Sequence, residues 1–337
     1  MRHFFLTLSL SAIISLCGCR QAGNATTTAT NPAEAAEASR NQLTFNADSA
    51  YSYIKKQVEF GPRVPGTDSH RRCAEWLAEM LALTSPDSLI VQNAQVSAFT
   101  GDELPITNIM AMYNTKATDR VILAAHYDTR PWADNEADQN KRNTPISGAN
   151  DGASGVGALL EIARIIGENR PEIGVDILLV DAEDYGDSGG FSMHEDSWCL
   201  GTQYWAEHMP YTDANRPRYG IVLDMIAGTN ARFHREFFSD KTARSVVDKV
   251  WGEAARNGLS QTFINEVGGS IVDDHIFIDR AGIPCIDIVE CNNAITRSFP
   301  PTWHTLHDDL ACIDINPLRA VGQTVLNVIM REKPSAR

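Results

Sequence analysis

The chain has 337 residues, 43% of them hydrophobic, which is enough to bury a large core in one α/β domain rather than two small ones. Its formal net charge of -14 and isoelectric point near 5.0 argue against a nucleic-acid partner, because phosphate backbones select basic surfaces. Of seven cysteines, Cys17 and Cys19 fall in an apolar leader, and Cys73, Cys199, Cys285, Cys291 and Cys312 are scattered without a C-x-x-C pair. That excludes a zinc knuckle or a thioredoxin-like motif.

In chain order, Arg2-His3 and the apolar run Phe4 to Leu16 have the length and polarity of a signal peptide and are too short to span a bilayer. The leader closes on Leu16-Cys17-Gly18-Cys19, which resembles a bacterial lipobox with Cys19 as the lipid-modified residue. Residues 20–42, rich in Ala, Thr, Asn and Glu, read as a disordered tether. The expectation is an exported bacterial lipoprotein, periplasmic or cell-surface, touching the membrane only through its anchor. Cys17 is unusual in a lipobox, so plain secretion is the alternative. Residues 43–337 then read as one folded domain.

Within that domain, apolar residues recur at helical spacing from Asn46 to Phe60, and a Gly/Pro-rich loop, Gly61-Pro62-Arg63-Val64-Pro65-Gly66, ends the helix. A second helix begins near Ser69 and passes Met80. Val91 to Met112 reads as two strands about the Gly101-Asp102 turn. Val121 to Ala125, Val175 to Val180, Gly220 to Asp224 and Ile283 to Val289 are β-rich runs of central-strand type. Helical patterns cover Ala153 to Ile166, Lys241 to Ala255, and Asn316 to Met330 with Pro317 in its first turn. Strand and helix alternate, so the predicted fold is a single α/β/α sandwich around a mixed, mostly parallel sheet. Two long polar insertions, Arg130 to Ser147 and Asp187 to Ser197, interrupt it. Export permits a disulfide among the five later cysteines, while Cys285 and Cys312, inside apolar segments, read as small core residues.

Three of the apolar runs stop on acids or histidine. Leu178-Leu179-Val180 leads into Asp181-Ala182-Glu183-Asp184, Val121 to Ala125 into His126-Tyr127-Asp128, and Ile221-Val222-Leu223 into Asp224. Ligands of open α/β sheets gather beyond the carboxyl ends of strands. His126, Asp128, Asp151, Glu183, Asp184, Asp224, Asp274, His275 and His304 are therefore the candidate ligands and catalytic groups. Nitrogen and carboxylate donors of this kind suit Zn2+, which in catalytic sites takes about three protein ligands. Adjacent carboxylates diverge at a strand end, so one can hold a metal while the other reaches the reacting group.

The order of these motifs resembles the zinc-dependent exopeptidase superfamily, which contains bacterial leucyl aminopeptidases and animal-type glutaminyl cyclases. The resemblance runs from about Ala47 to Met330 through Gly61 to Gly66, His126-Tyr127-Asp128, Gly148 to Gly155, Glu183-Asp184, Leu223-Asp224, Asp273-Asp274-His275 and Trp303-His304-Thr305. It implies one zinc held by Asp151, Asp184 and His304, or two if His126 and Asp224 join them as in two-zinc aminopeptidases. Trp303 before His304, the insertion carrying Trp198, and Asp273-Asp274-His275-Ile276 resemble the cyclases. Glu183-Asp184 departs from the Glu-Glu pair of the animal enzymes.

The implied activity is glutaminyl-peptide cyclotransfer: peptides or proteins with N-terminal Gln become pyroglutamyl, with loss of ammonia. Glu183 is then the proton shuttle, a task that suits a carboxyl with pKa raised to about 6–7. Asp224 and Asp274 share protons with it, and Trp198 and Trp303 line the substrate pocket. Two alternatives are a zinc aminopeptidase with one or two zinc ions and a silent peptide-binding lipoprotein. The intact Glu183 and its neighbours speak against the latter.

Overall fold

The computed structural model describes residues 43–189 and 195–335. The leader, the tether and the Cys19 lipid site lie outside the described residues. Asn46 starts helix α1 (Ala47–Glu59), its Oδ1 accepting from Asp48 N–H and Ser49 N–H at 3.0 and 3.1 Å. Thr67 caps α2 (Asp68–Leu83) in the same way. β1 (Ser88–Ser97) and β2 (Glu103–Tyr113) form the expected hairpin, and the Gly/Pro-rich loop does separate α1 from α2.

The remaining predicted elements occur in the expected order, with two helices and two short strands among them that the sequence reading does not mark. β3 (Arg120–His126) is followed by α3 (Ala153–Glu168), β4 (Gly174–Val180), α4 (Leu200–Glu207) and β5 (Gly220–Leu223). After β6 (Phe233–Arg235) come α5 (Phe237–Thr242), α6 (Arg244–Arg256), β7 (Phe263–Val267), α7 (Asp274–Arg280), β8 (Cys285–Ile288) and α8 (Ile315–Arg331). The six-stranded sheet has the order β1-β2-β4-β3-β5-β8, antiparallel across its first two pairs and parallel across its last three. The fold class read from the sequence is the one observed.

Buried strands carry apolar residues on both faces. Val121, Leu123 and Ala125 of β3 face a large core built with α1, α2, α3, α6 and α8, whereas Ile122 and Ala124 meet Trp205 of α4 and Ile278 of α7. Close contact of α3 with the sheet depends on Gly155, where a Cβ would fall 2.0 Å from Leu223 O. Two further details differ from the sequence reading. The helix predicted over Lys241 to Ala255 is broken at Ala243 into α5 and α6, because Glu236 caps α5 through Phe238 N–H and Ser239 N–H (3.0 and 2.6 Å) and starts it early. Cys73, Cys199, Cys285, Cys291 and Cys312 are all free and buried, so no disulfide joins them.

Parallel β3, β4 and β5 end together, with His126 beside Val180 in register and β5 on the other flank of β3. The connection after β3 runs through α3 to β4 on one flank, whereas β5 on the other flank leads on to β8, and the crevice at this switch collects the acids and histidines.

Candidate metal and catalytic centre

Asp151, Asp184 and His304 converge, each offering one ligand atom within 4.8 Å of the others. His304 Nε2 lies 3.0 Å from Asp184 Oδ1 and 3.8 Å from Asp151 Oδ2. All three are buried, and among the described residues Asp184 Oδ2 has no hydrogen-bond partner. Two carboxylates and an imidazole, one carboxylate with an orphaned buried oxygen, fit a zinc ion.

The backbone that presents these ligands is itself braced by carboxylates, of which the sequence reading singles out only Asp128, and that one as a ligand. Asp128 accepts from Glu183 N–H and Asp184 N–H at 3.1 and 3.2 Å. Asp308 does the same for Asn150 N–H and Asp151 N–H at 2.8 and 3.1 Å. Asp134, in the first polar insertion, stands 3.2 Å from His304 Nδ1 and leaves Nε2 to face the other ligands. Asp134 is fixed in turn by Arg130 (2.7–3.1 Å) and by Ser188 Oγ. A carboxylate on the far nitrogen of a ligating histidine is the usual outer partner of a metal site. Arg130, only 1% exposed, also donates to Asp184 O at 3.0 Å. Asp128 had been a candidate ligand; it holds backbone instead.

Positive φ angles cluster here: Ala182 (48°), Met225 (48°) and His304 (53°) adjoin or belong to the centre. Gly152 (φ 91°) follows Asp151, and a Cβ there would meet Asp128 O at 2.7 Å. No side chain could let the loop pass this close.

Glu183 lies beside the ligand set rather than in it. Burial pushes its carboxyl well above the ordinary carboxylate range, with Asp273, Asp184 and Asp274 adding to the rise and His126 opposing it. Burial likewise lifts Asp224 to about 7, again against His126. His126 bridges the group: its Nε2 is 3.2 Å from Asp151 Oδ1 and 3.3 Å from Asp224 Oδ1, and its Nδ1 is 4.0 Å from Glu183 Oε2. Burial opposes a charge on His304, but Asp184 and Asp134 outweigh it and hold the imidazole up to about 9; a cation between the ligands would take the place of that proton.

A cavity of about 180 Å³ opens on the centre, lined by Glu183, Asp224 and Asp273 and walled by Trp198, Phe299 and Trp303. Trp303 stacks on His304 with ring centroids 3.8 Å apart and meets Phe299 at 4.3 Å. Both predicted tryptophans are therefore pocket walls. The acid of the Asp273-Asp274 pair that reaches the cavity is Asp273, not the expected Asp274. Asp273 is the extended cap of α7, while Asp274, inside the first turn, accepts from Thr202 Oγ1 at 2.6 Å away from the cavity. His275 is turned from the centre, 3.2 Å from Glu236.

The sequence profile of Peptidase family M28 matches residues 108–329. Among solved structures, Bacteroides thetaiotaomicron glutaminyl cyclase bound to N-acetylhistamine is 49% identical with a TM-score of 0.83, covering 86% of this chain and 99% of that one. A leucine aminopeptidase precursor from the same organism is also 49% identical, with a TM-score of 0.81 and the same coverage. Tannerella forsythia glutaminyl cyclase is 45% identical with a TM-score of 0.82, over 86% of this chain and 100% of that one. The chain spans 62% and 42% of the lengths of the first two curated relatives it matches.

Proposed function

We propose, from the premise that the chain belongs to peptidase family M28, that it is a glutaminyl-peptide cyclotransferase rather than a peptide-cleaving enzyme. The observation that carries the reading is the cavity. At about 180 Å³, with three aromatic walls, it suits one side chain folded back on its own amine. Ligand sites for larger molecules run to about 300–1,000 Å³. Two glutaminyl cyclases among the similar structures, at 49% and 45% identity over nearly their whole length, support it.

Glu183 takes a proton from the substrate α-amine, whose nitrogen attacks the γ-amide carbon. Glu183 then returns the proton to the leaving nitrogen, the C–N bond to that nitrogen breaks, and ammonia departs. A buried carboxyl with raised pKa serves both halves of this exchange. Asp224 and Asp273, which line the same cavity, share protons with it. Asp151, Asp184 and His304 would hold one zinc, which supplies Lewis-acid polarisation of the γ-carbonyl when bound. Trp198, Phe299 and Trp303 keep water from the reacting carbon.

The aminopeptidase reading has one observation in its favour. His126, Asp151 and Asp224 form a second buried donor cluster sharing Asp151 with the first. Incubating the full-length protein with Gln-Phe-Ala separates the two. The cyclase yields ammonia and a pyroglutamyl peptide; release of free Gln and Phe-Ala would overturn the proposal. Metal analysis is the companion measurement: one zinc equivalent is expected, whereas two, with the second lost in His126→Ala, belong to the alternative.

Export and attachment through Cys19 are part of the same proposal, resting on the apolar leader and on Leu16-Cys17-Gly18-Cys19. Mass spectrometry of the mature N-terminus tests this, and an unlipidated start beyond Cys19 would refute it.

A further inference from the structure

Cys199 has no part in the chemistry above, yet its thiol touches the proton shuttle. Its Sγ lies 3.4 Å from Glu183 Oε1, on the oxygen opposite the one that His126 approaches at 4.0 Å. Asp273 completes a group in which each residue offers one ligand atom within 4.8 Å of the others. All three side chains are buried. Among the described residues Asp273 Oδ2 has no donor of its own, and the neighbouring Asp287, fully buried, meets the Asp273 carboxyl with two oxygens likewise without one. Acceptors therefore outnumber donors in this corner of the cavity, the imbalance a cation relieves.

Resting on the cyclase reading, we propose that Glu183, Cys199 and Asp273 form a second cation site. It takes soft, thiophilic divalent metals such as Cd2+ or excess Zn2+, and its occupation stops turnover by taking Glu183 out of proton transfer. It is distinct both from the Asp151, Asp184, His304 set and from the His126, Asp151, Asp224 cluster. The spacing fits. With Zn–S about 2.3 Å and Zn–O about 2.0 Å in tetrahedral geometry, the S···O edge is about 3.5 Å, against the observed 3.4 Å. One thiolate with two carboxylates favours Zn2+ and Cd2+ and disfavours Mg2+ and Ca2+.

Burial and the acids around it hold the Cys199 thiol protonated, so a metal enters only by displacing that proton to solvent. Only strongly thiophilic cations can do so. Entry is from the active-site cavity, which both Glu183 and Asp273 line. Once Glu183 is a ligand, it can neither accept nor return a proton.

The test is titration of the zinc-loaded full-length protein with Cd2+, without substrate, following the ultraviolet thiolate-to-cadmium charge-transfer band and the zinc content. The proposal expects one added Cd2+, a new band, and retained zinc, with none of this from Mg2+ or Ca2+. In parallel, Gln-Phe-Ala turnover should fall at least tenfold at saturation. Cys199→Ser should lose the band and, measured against its own activity without Cd2+, need at least tenfold more Cd2+ for half inhibition. Asp273→Asn, which keeps the thiol and the side-chain shape, should keep the band but weaken binding about tenfold.

A band that survives in Cys199→Ser, or inhibition accompanied by loss of the first zinc, would overturn the site. Because binding is read without substrate, its failure is separable from failure of the cyclase reading. A band with no ammonia from any Gln peptide sinks only the latter.

Discussion

Asp134 is the residue whose removal tests the metal centre most directly, because it acts on His304 without being a ligand. Its carboxylate stands 3.2 Å from His304 Nδ1 and is gripped by Arg130 through contacts of 2.7–3.1 Å. Burial works against its charge, but His304 and Arg130 more than compensate and hold the carboxyl well below the usual range. Asp134→Asn keeps an oxygen for the imidazole N–H but removes the charge. Asp134→Ala removes both and leaves the buried Arg130 guanidinium without its main partner.

Loss of such an outer partner costs about 10–100-fold in metal affinity, or about 1.4–2.8 kcal/mol at 1.4 kcal/mol per tenfold. The charge-only change should fall near the lower figure and the full truncation near the upper. Chelator competition on the full-length protein, followed by metal analysis, gives the affinities. The expected order is wild type, then Asp134→Asn, then Asp134→Ala. Equal zinc affinity in all three would refute the assignment of His304 as a ligand through Nε2.

Glu183→Gln should retain zinc while ammonia release from Gln-Phe-Ala falls by about a hundredfold or more; loss of zinc would mean that the roles of Glu183 and Asp184 are reversed. Asp273→Asn should reduce turnover more than Asp274→Asn, because only the former lines the cavity; the opposite order in the kinetics would restore Asp274 to the proton network. At the far end of the sheet, Arg120 and Asp176 form a buried pair, Arg120 Nε donating to Asp176 Oδ2 at 2.9 Å. Asp176→Ala should cost about 3–5 kcal/mol in urea unfolding with zinc content unchanged, and a cost under about 1 kcal/mol would show the pair to be dispensable. His70 sits 2.8 Å from Asp181, whose charge raises the imidazole pKa above 6.5 although burial opposes it. The stability this contributes is fully present below 6.5 and is lost as pH rises through the raised value; His70→Gln should flatten that part of the stability profile, and an unchanged profile would count against the linkage.

Much of this was legible in the sequence because buried parallel strands announce themselves. Val121 to Ala125 and Ile177 to Val180 are apolar without interruption, since both faces of the sheet are covered. A polar residue that ends such a run must sit at the carboxyl edge, so His126, Glu183, Asp184 and Asp224 could be placed there from order alone. Trp198 and Trp303 were likewise found by their nearness to motif residues.

What the sequence left open depends on directions and on partners far along the chain. Asp273 and Asp274 are neighbours of equal chemistry; an extended cap conformation turns one to the cavity, and the first helical turn carries the other to Thr202. Asp134, which meets His304 across 170 positions, and Asp308, which meets Asn150 and Asp151 across more than 150, carry no local signal. Their roles exist only once the polar insertion and the last loop are folded over the ends of β3 and β4. The break at Ala243 is of the same kind, since Glu236 starts α5 by accepting two backbone N–H groups that a helical pattern alone does not reveal. Periodicity and strand ends are set by nearest neighbours in the chain, whereas bracing, facing and capping are set by neighbours in space.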